Sequence, residues 1–425
     1  MPIEPTTTNS PKTTKYVIII GAFFFIFGFI TWINGTLIPY LRIACELEEW
    51  QAYLVTFAFY ISYTIMAIPS SALLARTGMI KGMSIGLGVM ALGCLVFVPA
   101  AYTRNYMMFL VGLFGVGTGL TLLQTAVNPY ITLLGPADTA AKRISMMGIC
   151  NKVAGILAPL VIGSIILKNA NGLVEELAKM NAAEKTARLD QLAHSVIVPY
   201  IVLAAILVLI AFLIRFAHLP EIMPEQNEEA GVSVHTSPKV NRQYAMGFMA
   251  IFCCVGAEVL AGDSIGNYGM YHGIDLDIAK SLTSYTLAAM MAGYLFGVTA
   301  IPKLISQQKA FLFSTIGGLI ISILIVVLPG ILSLVFLALL GLCNALLWPA
   351  IWPQALNGLQ GKQLAKGSAI LIMGILGGAL LPLLYGAAGK FSNNQVAYLL
   401  LVPVYLFLIY YSYIGKRSSK VNSPS

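Results

Sequence analysis

The sequence predicts an all-α membrane protein: twelve transmembrane helices in two pseudo-symmetric six-helix halves. Three observations carry this. Hydrophobic residues make up 58% of the 425-residue chain and charged residues 10%, against about 25% charged in soluble domains; mean hydropathy is +0.84. That much apolar surface cannot be hidden from water, so lipid is the solvent. Apolar runs long enough to cross a bilayer (about 20 residues) recur twelve times. Finally, the second half of the chain repeats features of the first at an offset of about 223 to 224 residues.

The elements follow in order. Residues 1–16 form a polar tail, expected in the cytoplasm. It opens onto a full-length apolar run with no small-residue cleavage site, which reads as a retained span and not a signal peptide. The first half, 17–217, holds six spans at 17–40, 51–75, 80–101, 106–134, 143–168 and 197–217. Residues 218–243 are rich in Pro, Glu, Asn and Ser and read as a flexible linker. The second half, 244–415, holds six more at 244–270, 278–300, 310–329, 331–358, 365–389 and 395–415, before a tail at 416–425. Residues 171–195 carry many charges and predict a short amphipathic helix on the outer surface.

Lysine and arginine set the orientation. One set of loops carries Lys12, Lys15, Arg76, Lys81, Lys142, Arg143, Lys239, Arg242, Lys303, Lys309, Lys362, Lys366, Lys416, Arg417 and Lys420. The other carries fewer: Arg42, Arg104, Lys168, Lys179, Lys185, Arg188 and Lys390. The richer set is cytoplasmic, which places both termini and the linker inside. The net charge of +8 belongs to these membrane edges and not to nucleic-acid binding. The six cysteines form no CxxC pair, and the four histidines fall in loops or at span ends. No disulfide, metal site or cofactor is expected.

The repeat is specific. "VNPYITLLGPADTAAK" (127–142) answers "IWPQALNGLQGKQLAK" (351–366), each with a proline thirteen residues before its lysine, and "LAPLVIG" (157–163) answers "LLPLLYG" (380–386). Two related six-span halves joined by a linker describe carriers that bind near the midplane and rock the halves around the site.

Polar groups inside spans are costly unless satisfied. Thr121, Gln124 and Asn128 lie at i, i+3 and i+7, on one face of span 4. By the repeat offset, Trp348 in span 10 pairs with Gln124 and Trp352 with Asn128, and Asn344 shares their face. Amides on one half and indoles on the other suit a monosaccharide, whose hydroxyls donate and accept while its C–H face stacks on aromatics. Interhelical hydrogen bonds and interfacial anchoring are the competing readings. Asn34 in span 1 and Asn267 in span 7 complete the candidate binding set. Lys152, Glu258 and Asp263 are the ionisable groups well inside spans. Glu258 and Asp263 would stand about 7.5 Å and about 140° apart on a straight helix, facing different partners. Gly262 and Gly266 predict a break there, as in discontinuous transporter helices. Lys152 is either a static partner of Glu258 or the neighbour of a carboxyl that alternates between charged and neutral forms.

Four stretches, "FFFIFGFITWINGTLIPYL" (23–41), "LQTAVNPYITLLGP" (123–136), "VGAEVLAGDSIGNYG" (255–269) and "GSAILIMGILGGALLPLLYG" (367–386), resemble the major facilitator superfamily. Within it they resemble the fucose/galactose/glucose:proton symporter family, and its glucose/galactose branch more than fucose permease. The resemblance runs from about 17 to 415. It implies twelve spans, a central sugar cavity and proton-driven import, with no cofactor beyond the proton. Three positions depart from the fucose-permease pattern: Gly35 replaces an aspartate, Gln124 a glutamate and Gly148 a glutamine. Glu258 and Asp263 are then the carboxylates left in the membrane core, and Glu258, the deeper, is the favoured proton carrier. The expected protein is a bacterial inner-membrane monosaccharide–proton symporter, functional as a monomer. A facilitative or sodium-coupled carrier is the nearest alternative, and a transporter-like nutrient sensor lies outside transport. No nucleophile–base motif supports an enzyme.

Overall fold

The computed structural model describes residues 11–133, 140–167, 173–216, 238–301, 304–357, 359 and 361–421, and among these it is helical with no strand. The first half runs as span 1 (Pro11–Trp32 and Asn34–Ala44), span 2 (Leu54–Thr77), span 3 (Met79–Thr103), span 4 (Tyr106–Leu133), span 5 (Ala140–Ile166) and span 6 (Ile197–Leu213). The second runs as span 7 (Pro238–Tyr271), span 8 (Leu282–Ala300), span 9 (Gln307–Val327), span 10 (Gly330–Asn344 and Leu347–Leu356), span 11 (Gly361–Met373 and Leu376–Phe391) and span 12 (Leu401–Val421). Eleven of these segments are long and apolar enough to cross a membrane on composition alone. Span 8 is the twelfth; its 19 residues carry more hydroxyls, and it packs between spans 5 and 10.

The surface shows why lipid must surround the bundle. Span 6 exposes Val198, Val202, Leu209 and Phe212, and span 9 exposes Phe313, Ile320 and Ile323. Spans 3 and 4 pack closely along a run of glycines. A Cβ on Gly93 would sit 2.5 Å from the Val116 nitrogen and one on Gly119 2.4 Å from the Gly86 carbonyl, so only glycine permits this approach.

Helix breaks fall where the backbone chemistry allows them. Span 10 breaks at Ala345–Leu346, and Pro349 has no N–H to give the Ala345 carbonyl. Span 11 breaks after Met373, at Gly374. The break predicted in span 7 at Gly262 and Gly266 does not occur: the helix runs unbroken from Pro238 to Tyr271. Those glycines serve close packing instead, as described below. The amphipathic segment is two helices, Leu173–Lys179 and Ala182–His194, the second capped by Asn181 and Glu184 in a reciprocal capping box.

The halves meet along spans 1, 2 and 5 on one side and 7, 8 and 11 on the other. Among the described residues, the hydrogen bonds between halves cluster at mid-depth and toward the face carrying loops 45–53, 167–196 and 392–395, the expected outer face. Thr36 donates to the Lys280 carbonyl (3.1 Å), Lys280 to the Leu167 carbonyl (3.0 Å), and Ser284 to the Ile156 carbonyl (2.7 Å). At the rim, Lys390 pairs with Glu48 (2.9 Å), and Asn394 donates to Glu49 (2.5 Å). The bundle is closed at this face.

Candidate functional site

Span 1 turns at Ile33, and the residue before the turn, Trp32, crosses from one half into the other. Its indole is 2% exposed and packs with Leu287, Met290 and Ala345 of the second half. Two glycines make room. A Cβ on Gly262 would lie 2.3 Å from Trp32 Cζ3, and one on Gly155 2.5 Å from Cδ1. Gly262 is thus a slot for an aromatic ring, which is why span 7 needs a glycine there while remaining helical.

Directly against this ring lies the first buried charge. Lys152 Nζ stands 4.8 Å from the Trp32 ring centroid and 2.6 Å from Glu258 Oε1. The pair joins span 5 of the first half to span 7 of the second. Its side chains are 7% and 13% exposed, so it is nearly but not wholly removed from solvent. Lys152 therefore has two stabilising neighbours, a carboxylate and the electron-rich face of an indole. Tyr60, Tyr294 and Tyr405 lie within electrostatic reach of Glu258.

Two of the amides bond to tyrosines of this neighbourhood. Gln124 is half-buried and donates to the Tyr63 hydroxyl (3.0 Å). Asn344 accepts from Tyr405 (2.5 Å), leaving its Nδ2 without a partner. Trp348 and Trp352 are half-buried and stack on each other, with centroids 5.3 Å apart and planes at 20°. Thr121 points back to its own helix, donating to the Gly117 carbonyl (2.8 Å). Asn34 lies apart. It lines a cavity of about 10 Å³ with Phe59, Cys94, Leu113 and Tyr200, enclosed within the first half. Asn267 is 1% exposed beside Tyr53, toward the expected outer face. Asn128 lies on the helical backbone of span 4, but its side chain lies outside the described residues, as do linker residues 218–237.

Asp263 faces elsewhere, as the helical spacing predicts. It is 0% exposed, and its Oδ2 accepts one hydrogen bond, from Thr56 of span 2 (2.9 Å); Oδ1 has none. No ammonium or guanidinium pairs with it among the described residues.

The sequence carried one site signal that composition-based reading passed over. Tyr53, Thr56, Tyr60 and Tyr63 lie at i, i+3, i+7 and i+10 from the start of span 2, one stripe of hydroxyls on one helix face. The structure uses that stripe: Thr56 for Asp263, Tyr63 for Gln124, and Tyr60 stacked on Tyr63 between the two carboxyls.

This architecture can be set beside known proteins. The family model described as Major Facilitator Superfamily matches residues 18–375. A glucose/galactose transporter of Brucella abortus biovar 1 (strain 9-941) is 31% identical over 419 residues, covering 97% of both chains. The L-fucose-proton symporter of Escherichia coli (strain K12) is 27% identical over 425 residues, covering 96% of this chain and 95% of that one. Among solved structures, the E. coli fucose:proton symporter (a point variant) superposes with a TM-score of 0.74 at 25% identity, over 95% of this chain and 99% of that one. With the match extending through both halves, the chain belongs to the major facilitator superfamily and, within it, to the fucose/galactose/glucose:proton symporter family.

Proposed function

We propose that this protein imports a monosaccharide by proton symport with alternating access, and that Glu258 carries the proton. The observation that supports this most directly is the Lys152–Glu258 pair, a titratable contact between the halves at mid-depth. Symport needs proton and sugar to bias one conformational equilibrium. A carboxyl whose counter-ion belongs to the opposite half meets that need, because moving the halves changes what the carboxyl faces. With the outer side open, Glu258 takes a proton from outside water, becomes neutral and releases Lys152, whose ammonium stays over Trp32. With the outer side closed and the sugar gone inward, Lys152 returns to Glu258. The carboxyl then gives its proton to cytoplasmic water. The arrangement at 2.6 Å is the unloaded end of that cycle.

The substrate is a hexose, deoxyhexose or amino sugar. Similar proteins are named for glucose, galactose and L-fucose transport. Gln124–Tyr63, Asn344–Tyr405 and the Trp348–Trp352 stack supply amides, phenols and indoles of the kind that bind sugars. The protein sits in the bacterial inner membrane as a monomer, with both termini and the linker in the cytoplasm. A reporter fused after Ser425 checks the orientation. A facilitative carrier is the second reading, favoured by the same contact if the pair never parts.

Uptake of labelled galactose and glucose into proteoliposomes tests the proposal. Accumulation above the outside concentration when the lumen is alkaline, and equilibration alone without the gradient, is the expected result. Equilibration under both conditions rejects symport in favour of the facilitator.

A further inference from the structure

The mechanism above leaves the buried carboxyl of Asp263 unused. Asp263 lies on the same helix as Glu258, but its surroundings are opposite in kind. Its single hydrogen bond comes from a neutral hydroxyl, its second oxygen has no partner, and it is 0% exposed. The groups around it can be named element by element. On its own helix, Glu258 is committed to Lys152 of span 5. Span 2 presents Tyr60 and Thr56. Span 1 carries Arg42, beside Glu49 at the rim, and span 8 is preceded by Lys280, committed to Asp277. Span 11 contributes the phenol of Tyr385, and the turn before span 12 that of Tyr398, bonded to Ser264. None of these offers Asp263 a cation. A buried carboxylate with one neutral donor is strongly disfavoured, whereas the carboxylic acid tolerates such a place.

The second observation is position. Thr56 belongs to the first half and Asp263 to the second, so their contact spans the seam that closes the expected outer face. The same seam is tightly packed around it. Thr283 donates to the Gly262 carbonyl (2.8 Å), and a Cβ on Gly35 would come within 2.3 Å of Thr283 Oγ1. Parting the halves at this face exposes Asp263 to water, and closing them strips the water away.

We propose that Asp263 and Thr56 form a proton-operated latch on the outer seam, closing when Asp263 is protonated and opening when it is ionised. The proton comes from outside water onto the exposed carboxylate before closure. It stays on the carboxyl while the seam is shut and returns to outside water on reopening. It is therefore a gating proton, separate from the one Glu258 delivers inward. By linkage, acid outside favours the closed seam. The inference rests on the alternating-access reading above but not on proton coupling, since a facilitator with this seam would have the same latch.

Exchange of labelled for unlabelled galactose in proteoliposomes, at equal pH on both sides, isolates the latch from coupling when it is measured in the Lys152→Met, Glu258→Gln background, where Glu258 no longer titrates. Exchange in that double variant should still change with pH, and adding Asp263→Asn should abolish the dependence. Persistence of the pH dependence in the triple variant, or its absence in the double variant, overturns the proposal. A distance measurement covers the case in which Asp263→Asn fails to fold. Spin labels at Tyr102→Cys and Ile278→Cys, exposed positions on opposite halves at this face, should report a closed population that shrinks as pH rises. A distance distribution indifferent to pH overturns the latch. Failure of gradient-driven accumulation in wild type, with pH-dependent exchange intact, would reject symport and leave the latch standing.

Discussion

Two carboxyls five residues apart on one unbroken helix meet opposite fates. Glu258 faces an ammonium from span 5 at 2.6 Å, itself resting on the Trp32 ring. Asp263 faces a threonine from span 2 and nothing else that can balance a charge. Both contacts bridge the two halves. The first stores a pair of charges that cancel; the second holds a group that fits only when neutral. The difference teaches that depth alone does not assign a proton site. What matters is the partner across the seam, and that partner is set by the phase of the helix, about 100° per residue.

The comparison can be challenged most forcefully by removing one partner of the charged pair. Lys152→Met removes the counter-ion of Glu258 and should lower stability, by about 3–5 kcal/mol where the carboxyl stays charged and by less where it takes up a proton. Adding Glu258→Gln should restore most of it. Thermal unfolding in detergent would read both, and a double variant no more stable than the single would show that the pair is not coupled.

Next in size is the slot between the two carboxyls. Gly262→Val drives a branched side chain into Trp32 and should cost about 1–3 kcal/mol through overpacking. Transport should suffer with it, because Trp32 is the first half's wedge into the second. Normal unfolding and normal uptake in this variant would mean that the ring moves aside freely.

Of similar size, but in ligand binding and not in folding, is Gln124→Ala. It should weaken sugar binding by about 1–3 kcal/mol, the scale for an unpaired buried polar group. Calorimetry showing unchanged affinity would confine Gln124 to its bond with Tyr63. Trp348→Phe is smaller again, costing about 1 kcal/mol from a lost aromatic stack. It should also remove most of any sugar-induced change in tryptophan fluorescence; a full response would move that role to Trp352 or Trp32.

The smallest effect belongs to the rim. Lys390 and the Trp50 indole hold the Glu48 carboxyl below the usual carboxylate range. The clamp's contribution is thus present at neutral pH and is lost only as pH falls through that lowered value. Both side chains are more than half exposed, so Lys390→Ala should change exchange rates little. A large loss would make the rim, and not the Asp263 contact, the principal closure.

The fold was legible because hydrocarbon leaves a chain few options: each apolar run must be a helix, and the repeat says how the helices group. The three buried charges were legible for the same reason, since each is an exception in its run. Their partners were not. Thr56 and Tyr63 look like ordinary hydroxyls of an apolar helix until the packing of span 2 against spans 7 and 4 gives them work. Gly262 was misread as a break, because in sequence a glycine that interrupts a helix cannot be told from one that admits a ring. Trp348 and Trp352 were legible as a pair on one face, and as i and i+4 neighbours of the unbroken helix Leu347–Leu356 they stack on each other.

The central claim, that Glu258 is the travelling proton's seat, meets its most direct test in the Lys152→Met, Glu258→Gln double variant, where no charge is stranded. Sugar exchange and gradient-driven accumulation should be measured on the same proteoliposomes. The account predicts exchange near the wild-type level with accumulation abolished. Accumulation at the wild-type level in that variant would contradict it.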